Sequence, residues 1–254
     1  MRYAPSQMIR ARARESLLGH YSQAVPAYLS VAVIEFFIYI LCASFVDTDN
    51  ITGRVIYAAL NIFYMLVAYI FSCGAGFLSL KLAAGQDVKA SDLFQGFRTK
   101  IDICARLFLI RLLISALCFS PTVLFATLLS GYFRHSTVLM ILSVLLCLGI
   151  VLSTAVMLAL SQVTFIMWDY PGYGLKRIMS TSILIMKGNR LRLLYLVAGF
   201  IPLYILCLLS CGTGFLWLVP YFRETLAQFY LEIVRNPVSR PETPSYPAFP
   251  GSPT

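Results

Sequence analysis

The sequence predicts an all-α fold, a polytopic membrane helical bundle of about six transmembrane helices in three hairpins. Three observations carry this expectation. Apolar residues make up 59% of the 254-residue chain and charged residues 12%, with a mean hydropathy of +0.79. A soluble domain has roughly 45–50% apolar and a quarter charged residues. The interior of a 28.4 kDa chain cannot hide that excess, so the surplus apolar surface faces lipid. The apolar residues are also gathered into six long runs, and Lys and Arg fall almost entirely in alternate connecting segments.

The six runs cover approximately 24–46, 55–80, 103–130, 137–168, 193–210 and 215–233. A helix rising 1.5 Å per residue needs about 20 residues to cross a hydrocarbon layer of about 30 Å. The first four meet that length. The fourth is long enough that it must tilt or project beyond the bilayer. The fifth is near the minimum. The fully apolar part of the sixth ends at Phe222, where Arg223 and Glu224 follow.

Sixteen cations lie on one side of this pattern: four before the first run (Arg2, Arg10, Arg12, Arg14), four between the second and third, five between the fourth and fifth, and three from Arg223 onward. The alternate loops hold Arg54 and Arg134, and the other two, Arg106 and Arg111, lie inside the third run. Positive-inside asymmetry then places both termini in the cytoplasm and requires an even number of spans. The net charge of +9 follows from this topology. There is no long basic run or stacking platform, so no nucleic-acid partner is expected.

Before the first, third and fifth spans come segments that read as amphipathic helices on the cytoplasmic interface. Residues 10–18 place Arg on one side and Leu17-Leu18 on the other. Ser91-Asp92-Leu93-Phe94-Gln95-Gly96-Phe97 begins with Ser and Asp, which favour a helix start. In 174–187, Leu175, Ile178, Met179, Ile183 and Met186 recur at helical spacing opposite Lys176, Arg177, Ser180 and Thr181. Each is predicted to end at a glycine in the left-handed cap conformation: Gly19, Gly96 and Gly188. A single membrane domain of residues 1–235 therefore reads as three units, each an interfacial helix, a bend and a hairpin. The tail, 236–254, holds six of the twelve prolines and is expected to be disordered or polyproline-like. The first apolar run is too long for a signal-peptide core. Neither end of the sequence fits a myristoylation or prenylation signal.

Two features bear on chemistry. Glu35 lies about 16 Å into the first span and Arg111 about 12 Å into the third, starting from the same side. Charged side chains at such depth mark function or pairing. The two are candidates for a buried ion pair, or for a proton or cation site. Separately, Ser72-Cys73-Gly74-Ala75-Gly76-Phe77-Leu78-Ser79-Leu80 matches Ser210-Cys211-Gly212-Thr213-Gly214-Phe215-Leu216-Trp217-Leu218 at seven of nine positions. A Gly-x-Gly there signals a helix break with close packing or carbonyls exposed to a ligand, but the topology puts the copies near opposite faces of the membrane. The seven cysteines fall in or beside apolar runs, no C-x-x-C occurs, and His20 and His135 are the only histidines. The cysteines therefore read as small buried hydrophobes rather than metal ligands. No cofactor is expected. No nucleophile elbow, zinc-protease helix, phosphate loop or paired carboxylates appear, so an enzyme is not expected.

Several motifs in order resemble one family. Ser91-Asp92-Leu93-Phe94-Gln95-Gly96-Phe97 follows a Gly-x-x-x-Leu-rich span. Asp169-x-Pro171 and Met186-Lys187-Gly188 precede the fifth span. Gly214-Phe215-Leu216-Trp217-Leu218-Val219-Pro220-Tyr221, with Phe229-Tyr230 downstream, is the most specific. Together, over about 10–233, these resemble the bacterial integral membrane proteins of domain-of-unknown-function family 975. The resemblance implies a multi-pass bacterial plasma-membrane protein with no assigned activity and no catalytic residues to carry over. It also suggests kinship with the membrane portion of some glycerophosphodiester phosphodiesterases. The chain departs from the pattern in having Leu148-Gly149-Ile150 where Ile-Pro-Gly is common, and in its proline-rich tail.

The expected role is a non-enzymatic membrane component that binds lipid or a protein partner. Lys176, Arg177, Lys187 and Arg190 are candidate contacts for anionic phospholipid headgroups on the cytoplasmic side. The alternative is a small transporter or permease with an intramembrane Glu35/Arg111 site.

Overall fold

The computed structural model describes residues 5–44, 50–129, 136–210 and 212–235, apart from the Arg235 side chain. The proline-rich tail, Cys211, Arg134 and the ends of the first and third expected spans lie outside the described residues. Eleven α-helices are described: α1 (Ser6–Leu17), α2 (Tyr21–Ser44), α3 (Ile51–Ala83), α4 (Gln95–Thr99), α5 (Ile101–Leu128), α6 (Ser136–Ala159), α7 (Val163–Asp169), α8 (Leu175–Met186), α9 (Arg190–Ala198), α10 (Ile201–Leu209) and α11 (Phe215–Arg235). A 3-10 turn, Ala90–Phe94, leads into α4, and no strand occurs among the described residues.

Among the described residues, five helical runs are long and apolar enough to cross a membrane: Tyr21–Ser44, Ile51–Ala83, Ile101–Leu128, Ser136–Asp169 and Arg190–Leu209. The sixth expected span is a helix, α11, but it does not join them. Arg223, Glu224 and Glu232 interrupt its apolar run, and it packs along α1, α2, α3 and α10. The long fourth run breaks at Leu160–Ser161–Gln162 into α6 and α7. The fifth breaks at Gly199–Phe200, where Pro202 has no N–H for the Ala198 carbonyl and its ring crowds that carbonyl.

The inner half of α3 is the central post of the fold. Ile70, Phe71, Cys73, Gly74, Ala75, Gly76, Leu78, Ser79, Leu80 and Leu82 are all buried, on every side of the helix. Two of its glycines make that possible. A Cβ on Gly74 would sit 1.8 Å from the Leu93 carbonyl oxygen, and one on Gly76 would sit 2.7 Å from Thr164 Cγ2. The 3-10 turn and α7 thus approach α3 at backbone distance, and Phe71 packs between Phe94 and Phe97 at ring separations of 5.4 and 4.9 Å. The second Gly-x-Gly works differently: Gly212 has φ +85° in the turn before α11, and Gly214 lies against Cys207. The two copies share sequence and not a role.

The segments expected at the interface fold as helices whose apolar stripes pack on protein. Ile9, Ala13 and Leu17, one turn apart on α1, are buried, and α1 lies against α11, α3 and α9. In α8 the buried face is Ile178, Ser182, Ile185 and Met186, while Ile183 is left exposed. The stripe rotates away from the expected one because the Ser182 hydroxyl donates to the Ala159 carbonyl at 2.8 Å, which lets a polar residue occupy the contact with α6. Gly19 and Gly188 take the positive φ expected of caps, +90° and +88°. Gly96 does not. It lies inside α4, where a Cβ would meet the Ile70 carbonyl at 2.8 Å, so it serves close packing and not termination.

Candidate functional site

The structure does not bring Glu35 and Arg111 together. Arg111, on α5, donates from Nε to the Met157 sulfur at 3.3 Å, and its guanidinium lies 5.4 Å from the Tyr69 ring centre. Glu35, on α2, is half-buried and makes no ion pair among the described residues. The cation that acts on it is Arg223 of α11. Helices α2 and α5 both pack on α3, but the two residues face different neighbours.

What gathers instead is a polar cluster where α1, α2, α3 and α11 meet. Arg223 Nη2 donates to Ser72 Oγ at 3.0 Å. The Tyr28 and Ser79 hydroxyls are 3.3 Å apart, and Ser79 donates to the Ala75 carbonyl. Glu224 is fully buried. Its Oε1 accepts from Ser16 Oγ of α1 at 2.8 Å and from Gln228 Nε2 at 3.1 Å, while Oε2 has no hydrogen-bond donor. Burial pushes this carboxyl up to about 7, and the bonds from Ser16 and Gln228 oppose that rise. Beside it, Arg10 of α1 lies 5.0 Å over the Phe200 ring and donates to the Leu196 carbonyl at 3.0 Å, at the break between α9 and α10. Both α1 polar contacts therefore reach into helix faces that are otherwise apolar. The sequence signal was the Arg223-Glu224 doublet inside an apolar run. It read as the end of a span, but the helix continues through it for eleven more residues, to Arg235.

The basic segment around α8 and α9 is open. Lys176, Arg177 and Lys187 are exposed, with the Arg177 guanidinium 4.1 Å over the Tyr173 ring. Arg190 is half-buried, and its Nε has no hydrogen-bond partner. Large apolar side chains from the same segment are uncovered, among them Ile183, Leu184 and Leu191, the last 78% exposed. Arg192, the next cation, is held against Glu232 of α11 at 2.6 Å. Among the described residues no group of three or more His, Cys, Asp or Glu could hold a metal ion.

A model of the family described as "Protein of unknown function (DUF975)" matches residues 1–237. No curated protein and no solved structure matches.

Proposed function

As the chain belongs to domain-of-unknown-function family 975, whose description assigns no activity, we propose that it is a non-enzymatic multi-pass membrane component that holds anionic phospholipid headgroups along its α8–α9 rim. In this reading it resides in a bacterial plasma membrane with both termini in the cytoplasm. One observation carries it: Lys176, Arg177 and Lys187 lie exposed on the same segment as the uncovered Ile183, Leu184 and Leu191. A surface with apolar side chains for the acyl boundary and cations for phosphate suits the edge of a bilayer. Each cation near an anionic surface contributes roughly 1 kcal/mol. Arg190, half-buried at the start of α9, adds a fourth cation to the segment.

The test is lipid retention by the purified full chain in nanodiscs of mixed phosphatidylglycerol and phosphatidylcholine. The protein should keep phosphatidylglycerol through washing, and the variant with Lys176, Arg177, Lys187 and Arg190 all changed to Gln should keep both lipids equally. Equal retention by the unaltered protein sinks the reading.

The transport reading keeps one support, the electrostatic influence of Arg223 on Glu35. It predicts that Glu35→Gln and Arg223→Gln abolish an ion flux in proteoliposomes that Arg111→Gln leaves intact.

A further inference from the structure

Cys73 of α3 and Cys104 of α5 have no part in the rim or the polar cluster. Both are fully buried, in the same core cluster. The two thiols influence each other electrostatically. The register of the two helices supports the pairing independently. One turn before Cys73, Tyr69 packs on Phe108, which lies one turn after Cys104, with ring centres 5.9 Å apart. Two helices running in opposite directions with Tyr69 opposite Phe108 place Cys73 opposite Cys104. The Trp168 indole N–H donates to the Cys73 carbonyl at 2.8 Å, which fixes this level of α3 against α7. Two cations bracket the thiols: Lys100, one turn before Cys104, and Arg111, over the Tyr69 ring. Both thiols are buried, so only a small uncharged oxidant can reach them.

We propose that Cys73 and Cys104 are a redox-active dithiol that closes to a reversible disulfide between α3 and α5 in the presence of a small uncharged peroxide. One thiol attacks a peroxide oxygen. The O–O bond breaks, the sulfur becomes a sulfenic acid, and the departing oxygen leaves as water. The second thiol attacks that sulfur, the S–S bond forms, and the sulfenic oxygen leaves as a second water. Two thiols lose two electrons and two protons, and one hydrogen peroxide is reduced to two waters. The bond closes a loop over 74–103, which contains the 3-10 turn and α4, and so ties the inner half of α3 to the start of α5. Constraining a loop of this length limits the unfolded chain and raises stability. Cys147, exposed on α6, provides an internal reference for oxidant access.

The experiment uses the full chain in nanodiscs, reduced with a phosphine, desalted, exposed to hydrogen peroxide, then denatured and alkylated with N-ethylmaleimide. The expected result is loss of alkylation at Cys73 and Cys104, alongside that of the reference Cys147, and a reductant-sensitive cross-link between the peptides carrying Cys73 and Cys104. The oxidised form should also unfold at a higher temperature. Cys73→Ser and Cys104→Ser should each lose the cross-link and the shift, so either variant serves if the other fails to fold. Cys73 and Cys104 both fully alkylated after Cys147 has been oxidised, a cross-link mapping to another cysteine pair, or a cross-link without a thermal shift would overturn the proposal.

Discussion

The two halves of α3 are both apolar and have opposite surroundings. From Ile51 to Met65 the large apolar side chains stand open, with Ile51 81%, Val55 64% and Phe63 55% exposed. From Ile70 to Leu82 almost every residue is enclosed by protein. The same division runs through the molecule. Ends of α2, α5, α6 and α10 carry rows of exposed Leu, Ile and Phe, while α1, the 3-10 turn, α4, α7, α8 and α11 pack around the inner half. Lipid tails are as apolar as Leu, so nothing drives apolar helices together within hydrocarbon. Packing where helices do meet comes from small residues, aromatic contacts and hydrogen bonds, and these are concentrated at the inner end.

Substituting one residue type in both halves tests this division most directly. Phe71→Ala removes a ring enclosed by Phe94 and Phe97 and should cost about 3–5 kcal/mol. Phe63→Ala, on the open half of the same helix, should cost under about 1 kcal/mol. Thermal unfolding of the two variants in the same detergent would measure the gap, and equal losses would remove the distinction between the halves.

Gly74→Ala comes next. The added methyl has a backbone oxygen in its way, so the 3-10 turn must move, at about 1–3 kcal/mol. That outweighs the gain of roughly 1 kcal/mol from replacing glycine in a helix. Ala59→Val on the open half should leave the melting temperature almost unchanged.

A smaller effect concerns the polar contacts of the inner half. With α1 undocked, Glu224 ionises near its ordinary 4.5, while docked it holds its proton to about 7. The docked state therefore binds more protons across that window, and stability falls as pH rises through it. Docking of α1 should be strongest below about 4.5, weaken toward about 7, and level off above. The groups facing this carboxyl are Ser16, Gln228, Tyr28 and the neighbouring Arg223. Hydrogen-exchange protection of α1 amides, corrected for intrinsic rate, should follow that curve. In Glu224→Gln it should be flat, and a retained slope would assign the titration to another group.

Much of this was legible in the sequence. The run 55–80 anticipated α3, and 24–46 anticipated α2, each within a few residues, because apolar length fixes where a helix is stable in lipid. Gly19 and Gly188 were readable as caps because a cap is a local requirement. Gly96 was not, since its constraint comes from Ile70, on another helix. Glu35 and Arg111 stood out as charges in apolar runs, but depth along two helices does not reveal which sides they present. Glu224 was hidden for the same reason: its partner Ser16 is 208 residues away in the chain.

The amino-acid order alone settled the family, the helical class and the apolar runs, because hydropathy is a sum over neighbouring residues and needs no partner. Tertiary structure decided which apolar surfaces meet protein and which remain open, that α11 joins the packed interior, and that Arg111 lies against Met157 and Tyr69. Those outcomes depend on distances between segments far apart in the chain, where one glycine or one hydroxyl sets how closely two helices approach.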